Sequence, residues 1–251
     1  MTMKKKGTDI MELNDSEIAL SDARPDFMKA NDRGNEDVSI DDLTIPRIDV
    51  IQDLSPQIKE SKPEYIEGAK VGMLFNTVTN KLYPGGIIFV PVFFRKEWVV
   101  WKDIKAGGGF KGAFDSELEA EKFRRTLDDG SKCETVDTAQ HYGIVINPDK
   151  TLEEVVISMS KSKMKVSRKL NSMVKLAGGD RFSRAYKIDS VEDQNSAGQD
   201  YRNLSFKQLG FVDEVTYHCA EKMYESVSAG LKNVSRDVSD EDDEDGDDAP
   251  Y

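Results

Sequence analysis

The chain has 251 residues, 38% of them hydrophobic and 33% charged, with a net charge of −12; that is enough for one good-sized core, and too polar for a chain ordered from end to end. The negative total argues at first against a nucleic-acid binder, yet it is unevenly placed. Residues 237–251 carry nine acids and no base, and residues 1–43 carry eleven acids and six bases, so removing −9 and −5 from −12 leaves +2 on residues 44–236, a weakly basic body between two acidic arms.

Cys133 and Cys219 are too few for a disulfide framework or a cysteine-built metal site, and free thiols suit a reducing cytoplasm. The opening MTMKKKGTDIMEL has positive charge without the apolar run of a secretory signal. No stretch approaches the ~20 apolar residues of a membrane span. These features predict a soluble, intracellular protein with no membrane partner.

In chain order, residues 1–43 read as a mostly disordered acidic arm, with a short helix around 16–20. Order begins near Leu43, where LTIPRIDVIQDLSP offers β-branched residues punctuated by Pro46 and Pro56. Residues 71–79 read as a strand and 79–81 as a turn, and Tyr83-Pro84-Gly85-Gly86 is a second break.

The next stretch, IIFVPVFFRKEWVVWK over residues 87–102, is the most apolar and aromatic run in the chain and holds both tryptophans. It reads as a strand that Pro91 pushes toward an edge or a bulge. Alternation places Phe94, Lys96, Trp98 and Val100 on one face, and Phe93, Arg95, Glu97, Val99 and Trp101 on the other. Rings interleaved with cations suit single-stranded nucleic acid, because unpaired bases stack on rings while lysine and arginine meet phosphates. The same rings would serve equally as the wall of a β-barrel core.

Gly107, Gly108 and Gly109 precede Phe110 and Lys111 without the Gly-Lys-Ser/Thr ending of a phosphate loop. They read as a flexible loop that lets a ligand or strand approach closely. SELEAEKFRRTL, residues 116–127, is a helix capped by Ser116, with Leu118, Phe123 and Leu127 facing the body. Residues 142–146 and 155–159 read as a strand pair around Pro148-Asp149.

SKSKMKVSRKLNSMVKLAGG then predicts a helix over 163–177, with Val166, Leu170, Met173 and Val174 on one stripe. Lys161, Lys163, Lys165, Arg168, Lys169 and Lys175 supply charge with no acid between Glu154 and Asp180. This is either a solvated helix face or a phosphate track. Residues 182–188 and 201–211 read as strands around a polar loop at 189–200. A closing helix over 213–231 would bury Val215, Cys219, Met223, Val227 and Leu231, and from Val234 onward the chain should be disordered. His141 and His218 read as ordinary structural histidines, the latter in a core helix, and no acid pair has the setting of a two-metal nuclease. Neither an enzyme nor a cofactor is expected.

IPRIDVIQDLSPQ, GAKVGMLFNTVTNKLY, FFRKEWVVW, SKSKMKVSRKLNSMV, the strands around RAYKI and YRNLSF, and a closing helix before an acidic tail together resemble a family of tailed-bacteriophage single-stranded DNA-binding proteins. The resemblance covers residues 44–232. It implies an oligonucleotide-binding (OB) fold, a five-stranded antiparallel barrel with added helices, that coats single-stranded DNA without sequence preference during replication and recombination. DNA contacts would come from Phe94, Arg95, Lys96, Trp98, Trp101, Lys102, Phe110 and Lys111, and from Lys161, Lys163, Lys165, Arg168 and Lys169. Oligomers of the chain on DNA are the accompanying expectation.

The acidic end, with Asp240, Glu241, Asp242, Asp243, Glu244, Asp245, Asp247, Asp248 and Tyr251, would compete with DNA and recruit replication or recombination proteins. A plain solubility tail is the alternative. Other readings of the whole chain are a strand-annealing or recombination-mediator protein, and an acidic mimic of DNA that inhibits a host enzyme.

Overall fold

The structure is a computed structural model that describes residues 44–194, 198–230 and 233–234, together with Gly34. The expected arm with its short helix, Leu231 and the acidic tail from 235 onward lie outside the described residues. The chain divides into two units between Val38 and Ser39, and the strands and helices described belong to the second.

The long aromatic run is one continuous strand, β5 (Ile87–Lys102), because β-branched and aromatic side chains fit a pleated surface buried on both sides. It is also the strand with most neighbours. Ile87 to Phe89 pair with β9 (Arg184–Gln194), nearly the whole length pairs with β7 (Cys133–Ile146), and Trp98 to Trp101 pair with β6 (Phe110–Phe114). Adding β8 (Leu152–Ser160) outside β7 and β10 (Asp200–Phe211) outside β9 gives a six-stranded antiparallel sheet. Pro91 falls at a bulge between Pro91 and Phe93, one of the two settings its missing N–H permits, while the strand itself is central.

A second, three-stranded antiparallel sheet is made by β2 (Ile48–Val50), β3 (Leu74–Asn76) and β4 (Leu82–Tyr83). It is tied to β8 through Glu153, whose carboxylate accepts from Asn76, Lys81, Tyr83 and Asn147. Residues 71–79 thus contain a strand far shorter than expected. A two-residue parallel pair joins β1 (Thr44–Ile45) to β11 (Asn233–Val234), so Val234 is paired where disorder was expected to begin.

The fold is therefore mainly β with three helices, an α+β arrangement, but not the expected five-stranded closed barrel. Among the described residues the ladders do not close into a ring. At the β8 edge an isolated bridge joins Arg47 to Val156, and Val156 N–H donates to Pro46. At the β10 edge the Gln52 side chain stands in for a strand: its Nε2 donates to the Arg202 carbonyl at 2.9 Å and its Oε1 accepts from the Arg202 N–H at 2.8 Å. One amide replaces a ladder, so the seam stays open.

Each helix covers part of this sheet. α1 (Glu117–Thr126) begins at the expected cap, Ser116, whose hydroxyl accepts from the Glu119 N–H and donates to the Glu119 carboxylate. It seats Ala120, Phe123 and Leu127 against Val100, Trp98 and Cys133, whereas Leu118 is 65% exposed rather than facing the body. α2 (Met164–Ala177) buries Leu170 and Val174 over one face of β7 and β8, with Val166 and Met173 packed alongside. α3 (Glu214–Ser228), capped by Asp213, buries Thr216, Ala220, Met223 and Val227 over the opposite face. Val215 and Cys219 lie outside, one residue off the expected stripe, and His218 is exposed between Glu214 and Glu221.

β7 runs nine residues further back than the five apolar ones suggest, and β9 and β10 extend into the expected polar loop as a hairpin. The glycines Gly107 to Gly109 all have positive φ and turn β5 into β6, with Gly109 O accepting from Lys102 N–H. A Cβ at Gly107 or Gly109 would meet open space, so backbone conformation, not close approach, selects glycine there. Gly143 is the reverse case: a Cβ would lie 2.3 Å from the Phe89 ring and 2.4 Å from the Val90 carbonyl. Gly143→Ala is therefore expected to cost about 3 kcal/mol, since a backbone carbonyl in a β-ladder cannot retreat; a shift in urea midpoint measures it.

Candidate nucleic-acid interface

The end of β5 carries the rings and cations singled out from the sequence. Trp101 is 8% exposed and meets the edge of Phe110, itself 38% exposed, at 5.6 Å between ring centres. Trp98 is half-buried against α1, and Phe94 is packed under α2 beside His141. Phe110 thus offers more open ring than the indoles do.

The cations of this region are engaged. Arg95 meets Asp115 at 2.9 Å, Lys96 meets Asp137 at 3.0 Å while lying over the Trp98 ring, and Lys102 meets Asp129 at 3.0 Å with Lys111 at 3.6 Å from the same carboxylate. Lys161 meets Glu134 at 3.0 Å. Asp129 is held below the usual carboxylate range, first by the hydrogen bond from Lys102. Such exposed pairs add little stability, but a phosphate arriving here must displace a carboxylate already in place.

Lys163 is buried and reaches Asp49 at 3.5 Å. Burial pushes Asp49 up, yet the charges of Lys163 and Arg47 leave it below its ordinary value. Between this group and Trp101, Thr138 and Gln140 lies a cleft of about 40 Å³, room for a few waters and not for a nucleobase. Its floor is a polar relay in which Ser158 donates to Gln140 and Gln140 donates to Glu97 at 2.8 Å. Strand alternation brings these residues onto one face.

α2 is different. Lys165, Arg168 and Lys169 are exposed on one stripe with Lys175, and none makes an ion pair with a described residue. Asp193 is the carboxylate that the Lys165 charge reaches. Lys165 stands at i−3 and i−4 from Arg168 and Lys169, spacings at which like charges repel by about 0.2–0.5 kcal/mol each. The helix starts without a side-chain cap and without an acid in its first turn, so its positive dipole end is uncompensated too.

Under α2 lies a neutral histidine. Arg181 can only donate, so its 3.1 Å contact makes His141 Nδ1 the acceptor and leaves Nε2–H to donate to Ser167 at 2.8 Å. Burial first, and the Arg181 charge second, bring His141 down to about 3. Arg181 also donates to Asn171 at 2.8 Å, and its guanidinium sits 5.6 Å from the Phe94 ring. Arg184 lies 3.8 Å over the ring of Phe211. Neither arginine was singled out from the sequence, and neither was Phe211.

No group of three His, Cys, Asp or Glu side chains able to hold a metal occurs among the described residues, and none of the described helices is long and apolar enough to cross a membrane. The acidic residues of the tail, Asp240 to Tyr251, lie outside the described residues.

A family model described as Pam3 phage gp34-like protein matches residues 15–233. No curated protein and no solved structure matches the chain.

The buried neutral imidazole sets a pH dependence. Its folded value lies below the unfolded one near 6.5, so the unfolded chain takes up a proton that the folded one refuses. Stability should be full above pH 6.5 and fall as pH drops, at up to about 1.4 kcal/mol per unit, already between pH 6.5 and 5 where carboxylates contribute little. Urea unfolding across that range should show the loss, and His141→Gln should flatten it.

Proposed function

The chain belongs to the Pam3 phage gp34-like protein family, and from that premise we propose that it is a phage protein that binds single-stranded DNA without sequence preference. The observation that carries this reading is the cationic face of α2, where Lys165, Arg168 and Lys169 stand exposed and without a carboxylate partner among the described residues. Phosphates would relieve their repulsion and satisfy the uncapped helix start. Exposed rings beside such cations would take bases, at about 1–3 kcal/mol each.

On this reading the two-sheet body is an opened variant of the OB barrel, its seam held by Gln52 in place of a ladder. The protein coats single strands during phage replication and recombination in the host cytoplasm, as successive copies along the strand. Its acidic tail, −9 over residues 237–251, competes with DNA for the cationic face at the high effective concentration of a tethered segment and is released to partner proteins when DNA binds.

Anisotropy of a labelled oligo-dT should report binding that weakens with salt, by about 0.7 log units per tenfold salt for each phosphate met. Replacing Lys165, Arg168 and Lys169 together by Gln should reduce that slope by about 2. A preference for duplex over oligo-dT, or a slope unmoved by the triple change, would contradict the proposal. Removal of residues 237–251 should raise affinity, most at low salt; unchanged affinity would reject the competition.

A further inference from the structure

A guanidinium withdrawn from water needs a carboxylate or a phosphate beside it, and without one its burial costs several times what a neutral hydrogen bond returns. Two arginines at the start of β9 lack such a partner among the described residues. Arg181, in the 3-10 turn Arg181–Ser183, gives its Nη2 hydrogens to two neutral acceptors, Asn171 and His141. Its Nε is buried without a hydrogen-bond partner, and so is Nε of Arg184. Burial draws Arg181 down to about 10, still charged at neutral pH.

Three acids that chain neighbourhood or hairpin register brings toward these arginines are committed elsewhere: Asp189 accepts from the Ser190 N–H at 2.9 Å, and the other two are Asp180, beside Arg181, and Asp213, two residues beyond Phe211. Asp180 accepts from the Tyr217 hydroxyl, and Asp213 caps α3 by accepting from the Thr216 N–H at 2.8 Å. Both guanidinium charges reach the buried phenol of Tyr186, so the two groups converge on one region. Asn171 is flanked on its own helix by Arg168 at i−3 and Lys175 at i+4, both exposed. Beside them the Phe211 ring, 73% exposed, lies flush with the Arg184 guanidinium at 3.8 Å, brought there by the β9–β10 register that pairs Arg184 with Phe211. Cations without counter-charge next to an open ring are the pairing that a single strand requires.

We propose that Arg181 and Arg184 form a phosphate-binding pair for the backbone of single-stranded nucleic acid, with the Phe211 ring carrying an adjacent base. The proposal rests on the single-strand reading and assigns the surface that executes it. The hydrogen bond from Arg181 to Asn171 joins this pair directly to α2.

The test uses the full-length protein, labelled oligo-dT and anisotropy at several salt concentrations. Arg184→Gln should weaken binding about tenfold at low salt and reduce the salt slope by about 0.7, one phosphate fewer. Phe211→Ala should weaken binding about 5- to 150-fold, the range expected for one lost stack, with the slope unchanged, and Phe211→Tyr should restore it. At its exposure Phe211 can be removed without disturbing the core, and a thermal melt checks this. Wild-type binding with both variants matching it would overturn the assignment and leave the single-strand reading standing. Failure of the wild-type protein to bind oligo-dT would overturn both.

Discussion

Internal neutralisation of charge divides the cations of this protein into two sets. Arg95, Lys96, Lys102, Lys111 and Lys161 each face a carboxylate at between 2.9 and 3.6 Å. In water such pairs are nearly neutral in stability, but they flatten the potential that would otherwise draw in a polyanion. Lys165, Arg168, Lys169, Arg181 and Arg184 make no ion pair with a described residue, and Lys165 reaches Asp193 only at longer range. The cations without an ion pair to a described residue therefore include those of α2 and the start of β9, whereas those beside the tryptophans are paired.

The rest of the architecture supplies the support for that second region. β5 spans the sheet from β9 to β6, and its bulge at Pro91 carries Phe93 and Phe94 to opposite faces, one under α3 and one under α2. Phe94 then forms the floor on which Arg181 rests, and His141, opposite it in register, accepts the guanidinium's hydrogen bond. Keeping that imidazole neutral is what makes it an acceptor. The histidine is structural in the sense expected, yet its task is to hold a cation in place without cancelling its charge.

Much of this was legible in the sequence and some was not, for identifiable reasons. α1 and α2 follow from a capping box and a clear 3.6-residue stripe. The same spacing predicts α3 and the burial of its Met223 and Val227, but in its first half the buried positions fall one residue later, on Thr216 and Ala220 rather than on the more apolar Val215 and Cys219. The first half of β7, CETVDTAQH, is polar because its side chains meet the Lys96–Asp137 and Gln140–Glu97 contacts rather than a dry core, so apolar patterning could not reveal it. Arg184 and Phe211 are 27 positions apart and meet only through hairpin register. A ring ending the YRNLSFKQLGF strand and arginines opening FSRAYKI were the available hints, but nothing local says they coincide.

In the proposed function the open cations, not the aromatic strand, receive the nucleic acid. Hydrogen–deuterium exchange of the full-length protein with and without oligo-dT tests it most directly. Exchange should slow across α2 and residues 181–186 and 207–211, with residues 95–102 unchanged. Slowed exchange confined to residues 95–111, leaving α2 and the start of β9 as they were, would contradict it.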